Sequence, residues 1–293
     1  MLITTSLGHG MAIANATPYE SAKMMKQAGF DGIDLPMDYN YESGLRPSDA
    51  DWEADILAKA NAAKEAGLVI GQCHLPSYPG HIDAPGDGDY MEYENLMLPD
   101  YVRALEICGK IDCKVAVMHP FFTLDSVRGS VNGNIKTLQK LMGQAERLGV
   151  AIALENVYAH RSNMFVHCAV QHAEIIEEII ERMNTPLVGA CLDTGHANIF
   201  HYDISDMAKV YGKHLIALHV NSNSGTDEHL LPNACPGWCE KQDFHRFSRT
   251  LHEIGYAGNY NLEISCGARI PSAALPFYRY AAEVARGFAD EVC

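Results

Sequence analysis

Short apolar runs alternate with amphipathic stretches along the whole chain. Eight of these runs have the length and composition of buried β-strands, and they cover residues 2–6, 32–36, 69–74, 115–119, 151–155, 187–193, 215–220 and 260–265. Stretches with apolar residues at three- and four-residue spacing follow them and predict helices over 18–28, 50–66, 92–109, 133–148, 170–183, 203–213, 242–254 and 272–290. Near-continuous apolar strands are typical of a parallel sheet buried on both faces. The pattern therefore predicts eight strand–helix units of the α/β class.

The boundaries between these elements carry recognisable turn chemistry. Residues 17–20, Thr-Pro-Tyr-Glu, match a capping box with proline at the first helical position, which predicts the start of the first helix. Glycines after several helical stretches predict helix ends that lead into the next strand. No linker rich in proline, serine and glycine divides the chain. The simplest arrangement is a single (β/α)8 TIM barrel domain over residues 1–293, and a doubly wound open sheet is the alternative.

Composition narrows the class of protein. The chain has 293 residues, with 22 Lys and Arg against 37 Asp and Glu, and a formal net charge of −15. Its 47% hydrophobic content predicts an ordered globular fold, and its acidity disfavours nucleic acids and anionic membranes as partners. The N-terminus lacks the features of a signal peptide, and no stretch is apolar enough to span a bilayer. We therefore expect a cytoplasmic protein whose nine cysteines are free thiols.

Six of the predicted strands have a polar side chain at or near their carboxyl end. The last polar residue of each is a histidine or a carboxylate: His74, His119, Glu155, Asp193, His219 and Glu263. Three more groups follow these strands closely, namely His196, Asp227 and His229. The active site of a TIM barrel lies at the carboxyl ends of its strands, so these side chains are expected to converge. Buried carboxylates are costly without a compensating cation, and a divalent metal ion is the simplest candidate.

Four motifs of the second half resemble the xylose-isomerase-like barrel superfamily. They are ALEN (153–156), LDTGHA (192–197), LHVN (218–221) followed by D-x-HLLP, and LEIS (262–265). The superfamily includes sugar isomerases and epimerases, inosose dehydratases and apurinic-site nucleases of the endonuclease IV type. The resemblance implies one divalent ion (Mn, Co, Mg or Zn) held by Glu155, Asp193, His219 and Glu263. It further implies that Glu155 and Glu263 transfer protons through an enediolate and that His196 acts on the substrate.

The nuclease branch of this superfamily holds three zinc ions with nine ligands, and all nine positions are filled in this chain. Charge favours the sugar-active branch. The loops at the expected catalytic mouth carry few cations: Arg46, Arg128, Arg161, Lys241 and Arg269. Carboxylates outnumber them, whereas a DNA-binding mouth needs several phosphate contacts from Lys or Arg. We therefore expect a small neutral sugar or polyol. A keto-polyol dehydratase, a trinuclear-zinc phosphodiesterase and a barrel that only binds its ligand remain as alternatives.

The remaining expectations concern the substrate pocket. We assign six side chains to substrate binding: His74, His119, Asp227, His229, Trp238 and Arg269. Loop aromatics such as Phe121, Phe122 and Tyr158 offer faces for stacking on a sugar ring. The segment 233–244, NACPGWCEKQDF, is longer than its counterpart in the superfamily, so the shape of this loop departs from the usual pattern. The resemblance also implies a homo-oligomer.

Overall fold

Eight parallel strands form a barrel in this computed structural model, which describes residues 1–7, 16–37, 45–77, 90–161, 164–234, 242–265 and 271–291. The strands are β1 (Ile3–Ser6), β2 (Gly32–Pro36), β3 (Val69–His74), β4 (Val115–Met118), β5 (Ala151–Glu155), β8 (Val188–Asp193), β9 (Leu215–His219) and β10 (Tyr260–Leu262). Their order around the sheet is β10-β1-β2-β3-β4-β5-β8-β9. The N–H of Val220 donates to the Asn261 carbonyl at 2.8 Å, and the N–H of Glu263 donates to the Val220 carbonyl at 3.1 Å. These bonds join β9 to β10, which confirms the predicted barrel over the open sheet.

The described helices pack around the barrel. They are α1 (Pro18–Ala28), α2 (Trp52–Glu65), α3 (Tyr90–Ile111), α4 (Val127–Leu148), α5 (Ala173–Met183), α6 (Thr194–Ile199), α7 (Ile204–Tyr211), α8 (Phe244–Glu253) and α9 (Pro271–Ala289). The predicted capping box is present: the Thr17 hydroxyl accepts from the Glu20 N–H, and the Glu20 carboxylate accepts from the Thr17 N–H. Among these helices, none is both long enough and apolar enough to cross a membrane.

Three features of the fold differ from the predicted pattern. Helix α4 begins at Val127, earlier than predicted, because Ser126 caps it by accepting from the Gly129 N–H at 2.9 Å. Glycine lowers the apparent helix propensity of this segment, so the sequence pattern did not predict the first turn of the helix. An antiparallel hairpin of β6 (Ala159–Arg161) and β7 (Met164–Val166) follows β5, and the short helix α6 follows β8 directly. Both additions lie at the carboxyl end of the barrel.

The interior of the barrel has two chemically different halves. Small apolar side chains from β4, β5, β8 and β9 pack together, and they are Val117, Ala153, Cys191 and Ala217. Buried polar side chains occupy the neighbouring strands β10, β1, β2 and β3, and they are Asn261, Thr4, Asp34 and Gln72. Register places Thr4 beside Asn261 and Asp34 beside Gln72. A polar half of this kind is stable only when its groups bond to one another.

Helix α4 anchors the loop that follows β4. The Asn134 side chain accepts from the Phe121 N–H at 2.8 Å and donates to the Phe121 carbonyl at 2.7 Å. Gly133 lies directly under the Phe121 ring, because a Cβ at this position would approach Phe121 Cδ1 to 2.5 Å and Tyr90 Cδ2 to 3.0 Å. Gly133 is therefore required for close packing.

Replacing Gly133 with alanine tests this packing. Alanine gains about 0.8–1.0 kcal/mol in helix propensity over glycine, but overpacking a filled site costs about 1–3 kcal/mol. We expect G133A to lower the free energy of unfolding by about 1 kcal/mol. The control is G143A in the same helix, where an added Cβ meets nothing within 4 Å and the protein should be stabilised. Urea unfolding measures both, and equal stabilisation by the two variants would contradict the packing described.

Candidate functional site

Three carboxylates and one histidine meet at the carboxyl end of the barrel. Glu155 is the last residue of β5, Asp193 the last of β8 and His219 the last of β9, while Glu263 directly follows β10. One ligand atom from each of these residues lies within 4.8 Å of the corresponding atoms of the others. Asp193 and His219 are fully buried, and Glu155 is 1% exposed. The cluster therefore sits at the floor of the mouth.

His219 lies at the centre of this cluster. Its Nδ1 is 3.1 Å from Glu155 Oε1, 3.3 Å from Glu263 Oε2 and 4.0 Å from Asp193 Oδ2. Its Nε2 is 3.0 Å from Asp34 Oδ2, inside the barrel. The imidazole is thus enclosed by carboxylates on both sides. Asp34 was not among the residues expected at the site.

Electrostatic effects in the cluster are large because its groups are buried. Burial raises the pKa of Asp193 to about 7; His196 opposes this rise, while Glu155 and Glu263 add to it. Burial also disfavours ionised Glu155, yet His219 and His119 hold the pKa of Glu155 well below its usual range. Neighbouring carboxylates raise the pKa values of these carboxyl groups and neighbouring histidines lower them, and both effects act on the same few atoms. Positive charge at this position is a requirement of the arrangement.

A second group of donors adjoins the first through Glu155. His74 Nε2 lies 3.2 Å from His119 Nε2, and Glu155 Oε2 lies 3.4 Å and 3.3 Å from these two nitrogens. His74 Nδ1 is 2.8 Å from the Leu75 carbonyl, which can only accept, so Nδ1 carries a proton. In the neutral ring, Nε2 of His74 therefore carries no proton, and its lone pair is available beside His119 and Glu155.

The outer side of the mouth carries the more exposed groups. Asp227 is 29% exposed in its side chain and accepts from the Tyr158 hydroxyl at 2.7 Å. Asp227 Oδ1 lies 3.0 Å from His229 Nε2 and 3.8 Å from His196 Nε2. Burial lowers the pKa of His229, but Glu263 and Asp227 outweigh this effect and raise it to about 9. Exposure therefore increases from the floor of the mouth toward Asp227.

The structure brings nine of the expected side chains to one mouth, which are His74, His119, Glu155, Asp193, His196, His219, Asp227, His229 and Glu263. Phe121 and Phe122 are each only 1% exposed; Phe121 packs against Tyr90 and Tyr93, and Phe122 against Val157 and Val170, so they offer no face for stacking on a sugar. Arg46 and Arg128 are exposed. Trp238, Lys241, Arg269 and the Arg161 side chain lie outside the described residues.

Asn156 holds two of the strand ends together. Its side-chain amide donates to the Asp193 carbonyl at 2.9 Å and accepts from the Asp193 N–H at 2.8 Å. The backbone carbonyl of Asn156 also lies 2.9 Å from His196 Nδ1. The asparagine of the ALEN motif therefore fixes Asp193 and His196 relative to Glu155. An asparagine next to a strand-end glutamate is the sequence signal for this role.

Substitution of Asn156 should destabilise the barrel at this end. N156A leaves the buried N–H of Asp193 without its side-chain partner, and such a group costs about 1–3 kcal/mol. We expect a loss of about 1–3 kcal/mol in the free energy of unfolding. N132A is the matched control, because Asn132 bonds only at the exposed surface with Arg182 and should cost less than about 0.5 kcal/mol. Denaturant unfolding of both variants measures the two losses in free energy of unfolding. Equal losses would contradict the role of Asn156.

Comparisons with known proteins identify relatives of this chain. A family model described as xylose isomerase-like TIM barrel matches residues 22–284. An uncharacterised protein of Methanocaldococcus jannaschii is 33% identical over 201 residues, covering 66% of this chain and 73% of that protein. Inosose isomerase of Bacillus subtilis is 24% identical over 174 residues, covering 58% and 60%. A probable endonuclease 4 of Mycoplasmopsis pulmonis is 24% identical over 173 residues, covering 56% and 57%.

Solved structures match over almost the whole length. A D-psicose 3-epimerase determined in the presence of D-fructose has a TM-score of 0.72 at 14% identity, covering 99% of this chain and 100% of its own. The 3-keto-D-glucoside 4-epimerase from E. coli has a TM-score of 0.71 at 20% identity, covering 98% and 99%. At these identities the likeness shows a shared fold.

Proposed function

Because the chain belongs to the xylose isomerase-like TIM barrel family, we propose that it is a divalent-metal-dependent isomerase or epimerase of a small sugar or polyol. The observation that carries this proposal is the cluster of Glu155, Asp193, His219 and Glu263, whose ligand atoms lie within 4.8 Å of one another. The relatives add support for the substrate class, since they include an inosose isomerase and sugar 3- and 4-epimerases.

The residues of the cluster fit a divalent ion. His219 Nδ1 faces three carboxylates at 3.1–4.0 Å while Nε2 is engaged by Asp34, so these residues would hold a cation on the Nδ1 side of the ring. One nitrogen and several carboxylate oxygens form a donor set that suits Mn²⁺, Co²⁺, Mg²⁺ or Zn²⁺.

The arrangement of the two glutamates supports proton transfer. A bound divalent ion would polarise a substrate carbonyl and acidify the adjacent C–H bond. Glu155 and Glu263 extend from strands separated by β8 and β9, so they reach a ligand in the mouth from different directions. One carboxylate removes the proton. Its return to the neighbouring carbon isomerises the sugar, whereas delivery of a different proton by the second glutamate to the opposite face of the same carbon epimerises it. His196 is placed to hydrogen-bond a substrate oxygen.

Metal binding should stabilise the protein through the four-residue cluster. A ligand at 100 times its Kd adds about 2.7 kcal/mol to the free energy of unfolding. We expect Mn²⁺ to raise the melting temperature of chelator-treated protein by several degrees. D193N, which keeps an N-capping side chain for α6, should lose this shift. D203N is the matched control, since Asp203 caps α7 on the surface and should leave the shift unchanged.

Two results of this experiment would count against a metal at the cluster. One is a wild-type melting temperature that does not respond to any of the four ions. The other is a D193N shift equal to that of wild type, which would place the ion elsewhere.

Loss of either glutamate should abolish proton exchange. A panel of ketohexoses and inososes in D2O, followed by NMR, detects solvent deuterium entering the carbon next to the carbonyl. We expect E155Q and E263Q to reduce exchange at least about 100-fold, the usual worth of a positioned acid or base. E253Q, an exposed substitution on α8, should exchange as fast as wild type. Measured metal content separates loss of the ion from loss of the base, and undiminished exchange in both variants would contradict the mechanism.

A second candidate function rests on the group formed by His74, His119 and Glu155. Their donor atoms are 3.2–3.4 Å apart, close to the spacing of about 3.3 Å between ligands that hold one zinc at about 2.0–2.1 Å. This geometry favours a multinuclear phosphodiesterase, as does the probable endonuclease 4 among the relatives. Three zinc ions per chain together with incision of abasic DNA would establish it. One exchangeable ion without incision supports the sugar enzyme.

A further inference from the structure

The polar half of the barrel interior converges on one oxygen of Asp34. Oδ2 lies 3.0 Å from His219 Nε2, 3.1 Å from Gln72 Nε2 and 3.2 Å from Asn261 Nδ2. All four residues are at most 1% exposed. A carboxylate oxygen that receives three N–H groups is held in place from three strands. The oxygen beside His219 therefore has a fixed position.

Two further hydrogen bonds orient the amides that hold Asp34. The Thr4 hydroxyl donates to Asn261 Oδ1 at 2.7 Å, which turns the NH2 of Asn261 toward Asp34. Gln72 Nε2 also lies 3.3 Å from the Leu218 carbonyl, so its amide group is likewise directed by the backbone. The network links β10, β1, β2 and β3 to the ring of His219.

Both ring nitrogens of His219 face carboxylates, with Nε2 3.0 Å from Asp34 and Nδ1 3.1 Å from Glu155. With a cation at Nδ1, the proton of the neutral ring would lie on Nε2 and be donated to Asp34. Nδ1 is the nitrogen that faces Glu155 and Glu263 at 3.1 Å and 3.3 Å. A histidine that binds a metal through one nitrogen commonly donates its other N–H to a carboxylate, and this contact orients the ring and raises its basicity.

We propose that Asp34 is a positioning residue, which with Gln72 and Asn261 fixes His219 in the orientation and tautomer that present Nδ1 to a divalent ion. This inference rests on the proposed metal site. It assigns the polar half of the barrel interior a role in metal affinity, at a distance from the substrate. Asp34 itself does not contact the substrate.

Metal titration of D34N tests this role. Asparagine has the same size, and its carbonyl oxygen, which the N–H groups of Gln72 and Asn261 hold beside Nε2, lacks the negative charge that orients His219 and raises the basicity of its ring. We expect the Kd of chelator-treated protein for Mn²⁺, measured by calorimetry, to rise about 10- to 100-fold with the stoichiometry unchanged. The matched control is D31N, because Asp31 bonds to the Ile3 N–H and Arg286 outside the site and should leave the Kd unchanged.

A second readout follows the proton on His219 directly. In Zn²⁺-loaded, 15N-histidine-labelled protein, NMR should show a protected Nε2–H for His219, identified by its loss in H219Q. This signal should shift or disappear in D34N. If D34N does not fold, Q72M removes one of the three N–H groups on Asp34 and should weaken Mn²⁺ binding by a smaller factor.

The possible outcomes separate the two proposals. Wild-type Mn²⁺ affinity in D34N, with an unchanged Nε2–H signal, overturns the role of Asp34 and leaves the metal site intact. If D34N is unfolded, unchanged affinity in Q72M has the same meaning. Absence of binding in wild-type protein overturns the proposed function, and the role of Asp34 with it.

Discussion

Compensation of buried negative charge is the constraint on which this mouth depends. Glu155 and Asp193 end their strands in almost complete burial, and Glu263 joins them from β10, on the far side of β9. Carboxylates brought this close in a low-dielectric interior must either take up a proton, as the raised pKa of Asp193 indicates, or have positive charge among them. Histidines supply part of it, and His219 is the one that touches all three. The charges at this end of the barrel must therefore be balanced for the strands to pack together. The stability of the fold and the composition of the site depend on the same electrostatic interactions.

The apolar and polar halves of the barrel interior determine where the buried charges are compensated. Small apolar residues fill the half beneath β4, β5, β8 and β9, so these strands approach closely and their terminal side chains meet above the packed layer. The other half holds Asp34 and its amide partners, which reach across the interior to the ring of His219. An interior that was apolar throughout would leave the Nε2–H of a buried histidine without a partner, at a cost of about 1–3 kcal/mol. The polar half thus supports the position of the central histidine.

Much of the fold and most of the strand-end residues could be predicted, because both follow from patterns that are local in the chain. Apolar runs and helical spacing give the eight units, and the carboxyl ends of parallel strands necessarily share one mouth. Asp34 was missed because it lies within its strand, where a single acidic residue resembles an irregularity of the pattern. The cost of burying a carboxylate in a parallel strand was the available signal. Its partners come from strands far apart in sequence, and no local pattern pairs them. Helix α4 was predicted too short because Gly129 lowers the apparent helix propensity of its first turn.

The two functions considered for this site are linked through a single side chain. Glu155 directs Oε1 toward His219 and Oε2 toward His74 and His119, so it belongs to both groups of donors. With one ion in the first group, Oε2 keeps a lone pair that can accept a proton from a substrate. A second ion between the two histidines would engage Oε2 as well, and a carboxylate ligated through both oxygens loses the basicity that proton transfer requires. The number of ions bound would therefore decide which chemistry is open to Glu155: proton transfer with one ion, or charge stabilisation at a phosphate with more.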